Sequence, residues 1–449
     1  MKTIALSALM FLGATGTSAE EWTLKQCIDH ALEHNISLKQ RKNDCRREEI
    51  QLSTARNAQL PDLNAGASQD FSFGRSLGMD NTYSKRNTSS TGFSLNTSVP
   101  ILTGNRIPNT IKLHQLNLEA TRAELEKARN DIRMQIAQQY IQIVYDKEIL
   151  AVALRQIAID SMQCARLAEM EKHGKATLTD VLQQQSTMAQ SRLTATQAEN
   201  SYRLDLLALS QLLELPSPEG FSIATPALTS EQSVITAINP EIIYSEAVAV
   251  KPEVAASISR LKAADKSILI AKADLYPTLS FGAGLGTNYY NSSGMDNDEF
   301  GSQMKNNFSQ SIHFTLNVPI FNRFSTRNNI RAARIEKENQ QLVLDNVKKS
   351  LYKEIQQVYY NTVAAEAKYN RSKQTQITSQ DAFALTQAKY ENGKATITEF
   401  NEAKNNMMKA DSDLIQARYE LVFQNALIEF YRGRDLIFLL LSAKHEKSV

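Results

Sequence analysis

This sequence has few cysteines, no long apolar run and nearly equal numbers of positive and negative charges. Only three cysteines occur among the 449 residues, and none lies in the context of a lipid-attachment site. No segment reaches the roughly 20 apolar residues that a membrane-spanning helix needs. The net charge is +2, and no basic patch indicates a nucleic-acid partner. The composition therefore does not support a lipid anchor, a spanning helix or nucleic-acid binding.

Residue patterns for catalysis or metal binding are also scarce. His30 and His34 could share one helical face, but no third metal ligand is evident and the zinc-protease order His-Glu-x-x-His is absent. Gly282, Gly284 and Gly286 alternate along a strand pattern with no βαβ unit around them, which favours a crowded strand surface over a nucleotide loop. We therefore expect no enzymatic activity, no cofactor and no metal site.

The cysteines leave one alternative open. Cys27 and Cys45 flank Asn35, a plausible turn between two helices, so their thiols could form a disulfide or stay free and buried. Cys164 instead ends a series of apolar residues at seven-residue spacing, which is typical of a helical seam. That series is Ile136, Ile143, Leu150, Ile157 and Cys164.

Residues 1–19 have the pattern of a cleavable secretory signal peptide. Lys2 precedes an apolar run from Ile4 to Leu12, and small residues end at Ala19. The apolar run is far shorter than a spanning helix, so we expect cleavage rather than anchoring.

The clearest feature of the sequence is an internal repeat. "HGKATLTD" at 173 and "NGKATITE" at 392 share Gly-Lys-Ala-Thr-x-Thr at a displacement of 219 positions. The predicted organisation is a first repeat at 20–214, a connector rich in proline and small polar residues at 215–240, a second repeat at 241–432 and a tail at 433–449.

Each repeat reads as helices on either side of two strands. Two helices would be 69 residues long, roughly 100 Å at 1.5 Å per residue, which favours helices wound along one another. The helices are predicted at 23–34, 36–59, 104–172, 177–214, 251–274, 323–391 and 396–432, and the strands at 62–76, 89–99, 278–290 and 308–318.

The predicted strands alternate apolar and polar residues and have about the length of a tilted strand that crosses a bilayer. A strand in lipid must belong to a closed barrel, and four strands are too few to enclose a lumen, so several chains must share one barrel. The polar faces would then line a water-filled pore. Soluble hairpins that cap a coiled coil remain the structural alternative.

From Trp22 to about Arg432 the sequence resembles the TolC-like outer-membrane efflux family. The resemblance is carried by "LPDLNAGAS" and "YPTLSFGAG" leading into strands, by the Val-Pro pairs at 99 and 318, and by the two glycine turns. It implies a mainly α fold with membrane β: a homotrimer whose 12-stranded β-barrel, with four strands per chain, continues as a long α-helical coiled-coil barrel. It also implies a Gram-negative outer-membrane location that extends into the periplasm.

The resemblance places adaptor docking at the two glycine turns. The positions that match are Gly174 with Lys175 and Gly393 with Lys394. The family's turn pattern is Val-Gly followed by Leu or Thr, whereas this chain has His-Gly-Lys and Asn-Gly-Lys, which leaves the identity of the adaptor open.

The resemblance also places a gate beside these turns. Glu399 and Glu402 match acidic residues that ring the constriction, Tyr390 matches a tyrosine that latches the closed tip, and Asp180 matches its acidic hydrogen-bond partner. The family's arginine is Ala395 here, so part of the latch is missing or replaced. A solvated acidic helix face is the alternative for the two glutamates.

The predicted function is an outer-membrane exit duct of a tripartite efflux or secretion system. It would passively conduct substrates from an inner-membrane pump through a periplasmic adaptor, with outer-membrane lipid around the barrel. The alternative is a non-conducting periplasmic scaffold or tether. The sequence does not specify the substrate.

Overall fold

A computed structural model describes residues 21–77, 81–217, 219–225 and 239–434 of this chain. The predicted signal peptide at 1–19 lies outside these residues. So do most of the predicted tail at 433–449 and the middle of the predicted connector at 215–240.

Four long helices confirm the internal repeat. Helix α3 spans Arg106–Lys172 and α4 spans Leu178–Leu212; their counterparts are α8, Ser325–Glu391, and α9, Ile397–Tyr431. The paired helices have equal lengths, 67 and 35 residues, and each second copy begins 219 positions after the first. The predicted long helices are correct to within about two residues at each end.

Shorter helices precede each strand pair. They are α1, Leu24–His34, α2, Ile36–Asn57, α5, Pro240–Val250, and α6, Pro252–Ala273. Thr23 caps α1 as predicted, and its side chain accepts a hydrogen bond from the backbone of Gln26. Helix α5, which is the repeat counterpart of α1, was not predicted.

The described residues fall into two compact units, and each unit contains parts of both repeats. The first takes described residues from 21–41, 126–251 and 348–434, and the second takes residues 42–125 and 252–347 without the gap at 78–80. Compactness therefore does not follow the division into repeats.

The first unit holds the largest apolar cluster. Ile28, Ile136 and Leu209 are fully buried in it. Beside it, β1, Glu21–Trp22, pairs in parallel with β4, Ser222–Ile223. The hydroxyl of Tyr140 lies within hydrogen-bond distance of the Trp22 and Ala224 carbonyls at the end of this pair.

The second unit contains a four-stranded antiparallel sheet. Its strands are β2, Asp62–Leu77, β3, Tyr83–Leu102, β5, Thr278–Ser292, and β6, Ser309–Asn317, in the order β2-β3-β5-β6. All four predicted strands are present, and β3 begins six residues earlier than predicted. A short helix, α7, Phe300–Asn306, interrupts the loop before β6 and was not predicted.

The strand register sorts the side chains onto two faces, because residues directly opposite each other in a sheet share a face. One face carries apolar residues in register, as where Phe281 pairs with Phe314 and Leu95 pairs with Leu285. The other face carries polar residues and glycines. Its members include Asn64, Ser94, Asn96, Gly282, Gly284, Ser311 and His313.

The strand glycines at 282 and 284 lie on a crowded surface, as predicted. A side chain at Gly282 would overlap His313, and one at Gly284 would come within 2.8 Å of the Asn96 side-chain oxygen. Glycine lets the neighbouring polar side chains cross the strand at these positions.

The structure decides two predictions, the disulfide between Cys27 and Cys45 and the apolar seam that ends at Cys164. Cys27 and Cys45 are both buried and no disulfide joins them, so the disulfide alternative is wrong. Ile136 and Ile143 are fully buried, whereas Cys164, at the end of the same series, is only half-buried. An α-helix drifts by about 20° per heptad, which moves the buried stripe of α3 onto other positions. None of the helices in the described ranges is long and apolar enough to cross a membrane.

Candidate gate and docking site at the helical turns

The repeated Gly-Lys segments form two helix-ending turns in the first unit. Gly174 has φ +66° and Gly393 has φ +70°, the left-handed conformation that residues with a side chain adopt at a cost. The next backbone N–H reaches back over the turn: Lys175 donates to Met170 at 2.9 Å, and Lys394 donates to Lys389 at 2.8 Å. These bonds satisfy carbonyls at the end of α3 and α8.

The rest of the shared motif starts the following helix. Thr177 accepts a hydrogen bond from the backbone N–H of Asp180 at 3.1 Å, and the Asp180 carboxylate accepts one from the backbone N–H of Thr177 at 3.0 Å. Thr396 and Glu399 make the same reciprocal pair at 3.2 and 2.7 Å. Gly-Lys-Ala-Thr-x-Thr followed by an acid is therefore a helix stop joined to a capping box.

Capping also holds the two acids ionised. Hydrogen bonds from Thr177 lower the pKa of Asp180, and hydrogen bonds from Thr396 lower that of Glu399. Both carboxylates are thus charged throughout the physiological pH range.

Glu399 and Glu402 both line an open groove between α8 and α9. The groove has a volume of about 410 Å³ and is also lined by Lys389 and Lys394. Both glutamates are exposed, but the Glu399 carboxylate already accepts hydrogen bonds from Thr396, so Glu402 is the more available of the two for ions or another chain. One of them, Glu399, also caps a helix, a role that the prediction did not include.

The predicted bond between Tyr390 and Asp180 is wrong for a single chain. Gln163 Nε2 donates to the Tyr390 hydroxyl at 2.6 Å, while the Asp180 carboxylate is occupied by Thr177. The Tyr390 ring packs 5.1 Å from Phe400, and the Arg166 guanidinium lies 5.5 Å from the Tyr390 ring centroid. Tyr390 thus joins the end of α8 to α3 rather than to α4.

A buried ion pair near the turns was not predicted from the sequence. Lys404 on α9 and Asp160 on α3 are paired with both side chains fully buried. Ser191 and Gln184 on α4 also bond to Asp160, and Asn401 accepts from Lys404 at 3.1 Å. The one available signal was the position of Lys404, four residues after Phe400 and three before Met407, on the stripe that is otherwise apolar.

Comparison with known proteins identifies the family. A family model described as outer membrane efflux protein matches residues 27–214 and 243–433. The outer membrane efflux protein BepC of Brucella suis biovar 1 is 22% identical over 438 residues, which cover 96% of this chain and 90% of BepC. Protein CyaE of Bordetella pertussis is 23% identical over 337 residues, which cover 72% of this chain but only 65% of CyaE.

The fold is that of outer-membrane channels. The outer membrane protein VceC of Vibrio cholerae superposes with a TM-score of 0.76 at 18% identity, over 93% of this chain and 96% of VceC. The family match covers both halves of the chain, including the four strands and the long helices. The chain therefore belongs to the outer membrane efflux protein family, a family of outer-membrane channels.

Proposed function

We propose that three copies of this chain form an exit duct through the outer membrane. The supporting observation is the sheet: four strands with one apolar and one polar face, and with β2 and β6 as edges that carry unpaired backbone groups. A sheet edge in lipid must be paired, so the β6 edge of one copy joins the β2 edge of the next and closes a 12-stranded barrel. The polar face then lines the pore.

The duct acts passively and without a cofactor in this proposal. Substrates reach it from an inner-membrane pump through a periplasmic adaptor that docks on the two glycine turns. Lys175 and Lys394 are exposed on these turns, and no atom lies within 4 Å of a side chain built on Gly174 or Gly393. Each turn therefore presents an exposed lysine beside an open glycine.

The docking proposal is tested by charge reversal at the turns. Lys175→Glu with Lys394→Glu is expected to abolish pump-dependent export in cells and to leave the purified oligomer and its conductance unchanged. The matched control is Lys172→Glu, an exposed lysine one turn earlier that is already paired with Glu169. Normal export by the double variant would show that the adaptor docks elsewhere.

The gate proposal rests on the two exposed glutamates. In a trimer, Glu399 and Glu402 would place six carboxylates around one opening, with Lys389 and Lys394 in the same groove. If the carboxylates face the lumen, their confined acidic surface raises the local concentration of cations. The duct is expected to be cation-selective and to be blocked by multivalent cations from the periplasmic side. A duct whose opening carries no net charge would show neither cation selectivity nor block by multivalent cations.

Single-channel recordings separate the gate residues. Glu402→Gln is expected to weaken the multivalent block without affecting helix capping, and Glu399→Gln also keeps a capping side chain. Tyr390→Phe removes the bond from Gln163 and is expected to raise the open probability without changing ion preference. If the variant with both Glu399→Gln and Glu402→Gln is blocked at the same multivalent-cation concentration as the wild type, the two glutamates are a solvated helix face and not a gate.

A further inference from the structure

Two cations lie on the apolar face of the sheet, directly opposite each other. Arg75 on β2 pairs with Lys85 on β3, and this row follows the row of Phe73 and precedes the row of Leu77 and Tyr83. Alternation along β2 places Arg75 on the same face as Phe71 and Phe73, not on the polar face. Lysine and arginine on an apolar face require a specific explanation.

The position of Arg75 and Lys85 along the barrel axis matches the edge of a membrane's apolar layer. From Leu63 to Phe73 this face of β2 is apolar at every position except Gln69, whose amide oxygen accepts a hydrogen bond from the Thr91 hydroxyl on β3. The stretch extends about 26 Å along the barrel axis at 3.4 Å per residue and a tilt of about 40°. That length agrees with the apolar band of about 25 Å in outer-membrane barrels. Arg75 and Lys85 lie one row further, about 5 Å beyond the band, at the depth of lipid headgroups.

Neither cation is neutralised by the part of the chain that the structure describes. Both side chains are exposed, and the described residues supply no carboxylate to either. Arg75 donates a long hydrogen bond to the carbonyl of Tyr83 at 3.4 Å. Like charges directly opposite each other in a sheet are destabilising, and an anion between them would remove that repulsion.

The aromatic residues around the pair are those of a membrane interface. Phe71, Phe73 and Tyr83 are between 65% and 75% exposed on the same face. Aromatic side chains collect at the level where hydrocarbon meets headgroups. Lipid headgroups supply anions at this level.

We propose that Arg75 and Lys85 form a binding site for the phosphate of an outer-leaflet lipid. The guanidinium of Arg75 contacts the phosphate oxygens through its planar fork, and the Lys85 ammonium neutralises the remaining charge. The acyl chains of the same lipid lie against Phe71 and Phe73. This inference rests on the proposed membrane-embedded sheet.

A neighbouring residue provides a matched control. Arg86 follows Lys85 but alternates onto the opposite, polar face, where its Nε donates to the Ser84 hydroxyl at 3.0 Å and its terminal nitrogen lies 3.8 Å from the Met295 sulfur. Arg86→Gln removes the same charge at the same height and should leave lipid binding unchanged.

The experiment titrates the detergent-purified oligomer with phosphorylated lipid A and counts bound lipid by native mass spectrometry. Arg75→Gln with Lys85→Gln is expected to weaken binding by about 10- to 30-fold, since each cation near an anionic surface contributes about a factor of five. Arg86→Gln should change it by less than twofold. Lipid A without phosphates should bind the wild type as weakly as phosphorylated lipid A binds the double variant.

Several outcomes would overturn the lipid site. Equal affinity of the double variant and the wild type would do so, as would a larger loss in Arg86→Gln, which would place the headgroup on the other face. Displacement of the lipid by an equal concentration of inorganic phosphate would assign the site to a free anion. If the double variant does not assemble, Lys85→Gln alone is measured, with an expected loss of about fivefold. Conductance in planar bilayers is recorded in parallel, because a wild type that does not conduct refutes the proposed duct itself.

Discussion

At the residue scale, Asp146 is a carboxyl with an unusual charge state. It is buried on α3 beside Asp205 of α4, and one of its oxygens accepts a hydrogen bond from Gln142 at 3.1 Å. Burial, together with the nearby carboxyl group of Asp205, raises the pKa of Asp146 to about 7. Near neutral pH this carboxyl therefore exchanges a proton inside the folded protein.

Asp146→Asn is expected to remove a pH dependence of stability. The pKa is higher in the folded chain than in the unfolded one, where Asp titrates near 3.9, so the wild type loses stability as the pH rises from about 4 through 7. The variant should match the wild type near pH 4 and exceed it above pH 7. Thermal unfolding across this range is the measurement, with Asp131→Asn at an exposed carboxyl as the control. Parallel curves for the wild type and Asp146→Asn would refute the shifted pKa.

Breaking the buried ion pair of Lys404 and Asp160 should strongly destabilise the first unit. Lys404→Met leaves Asp160 charged and buried and is expected to cost about 3 to 5 kcal/mol in the free energy of unfolding. Lys172→Met breaks an exposed pair with Glu169 within α3 and should change the free energy of unfolding far less, because solvent screens that pair. Urea denaturation of both variants compares them, and similar losses would mean that the burial of Lys404 is not maintained in solution.

At the element scale, the glycine turns allow a test of backbone conformation alone. Since a side chain at Gly393 would touch nothing, Gly393→Ala changes only the cost of the left-handed conformation, about 1 to 2 kcal/mol. Gly393→Asn should lose less, because asparagine tolerates this conformation. Gly301→Ala in α7 has equal space and an ordinary φ, and it should not lose stability. If alanine and asparagine are equal at 393, the turn is not held left-handed.

The elements that could be predicted well from the sequence are those whose ends are marked by residues close by in the chain. The 219-residue displacement determined α3, α4, α8 and α9, because a glycine follows the end of α3 and of α8 and a threonine caps the start of α4 and of α9. Helix α5 lies beside a proline-rich connector and has no strong apolar period, so composition obscured it. The turns could be predicted from a repeated motif. The partner of Tyr390 could not, since Gln163 is 227 positions away and nothing local relates them.

At the scale of the whole molecule, lipid exposure of one sheet face predicts where charge is tolerated. Phe93→Arg, Phe281→Arg and Phe314→Arg should each reduce membrane assembly, by about 2 to 4 kcal/mol where the position lies at mid-depth. Phe71→Arg, which lies near the headgroups, should reduce it less. Ser72, Ser94 and Thr315 lie on the polar face and should accept arginine. The yield of oligomer in isolated outer membranes is the measurement, and equal yields for the two sets would remove the barrel.

The central claim is that the polar face of the sheet lines a water-filled pore, and one measurement tests it directly. Ser94 and Phe93 are adjacent on β3 but point to opposite faces. In a variant that lacks the three native cysteines, Ser94→Cys or Phe93→Cys is introduced, and a cationic thiol reagent is added to single channels in a planar bilayer. If the polar face lines the pore, the reagent lowers the conductance of the Ser94→Cys channel and leaves that of Phe93→Cys unchanged. The reverse pattern, or no conducting channel at all, would contradict the claim.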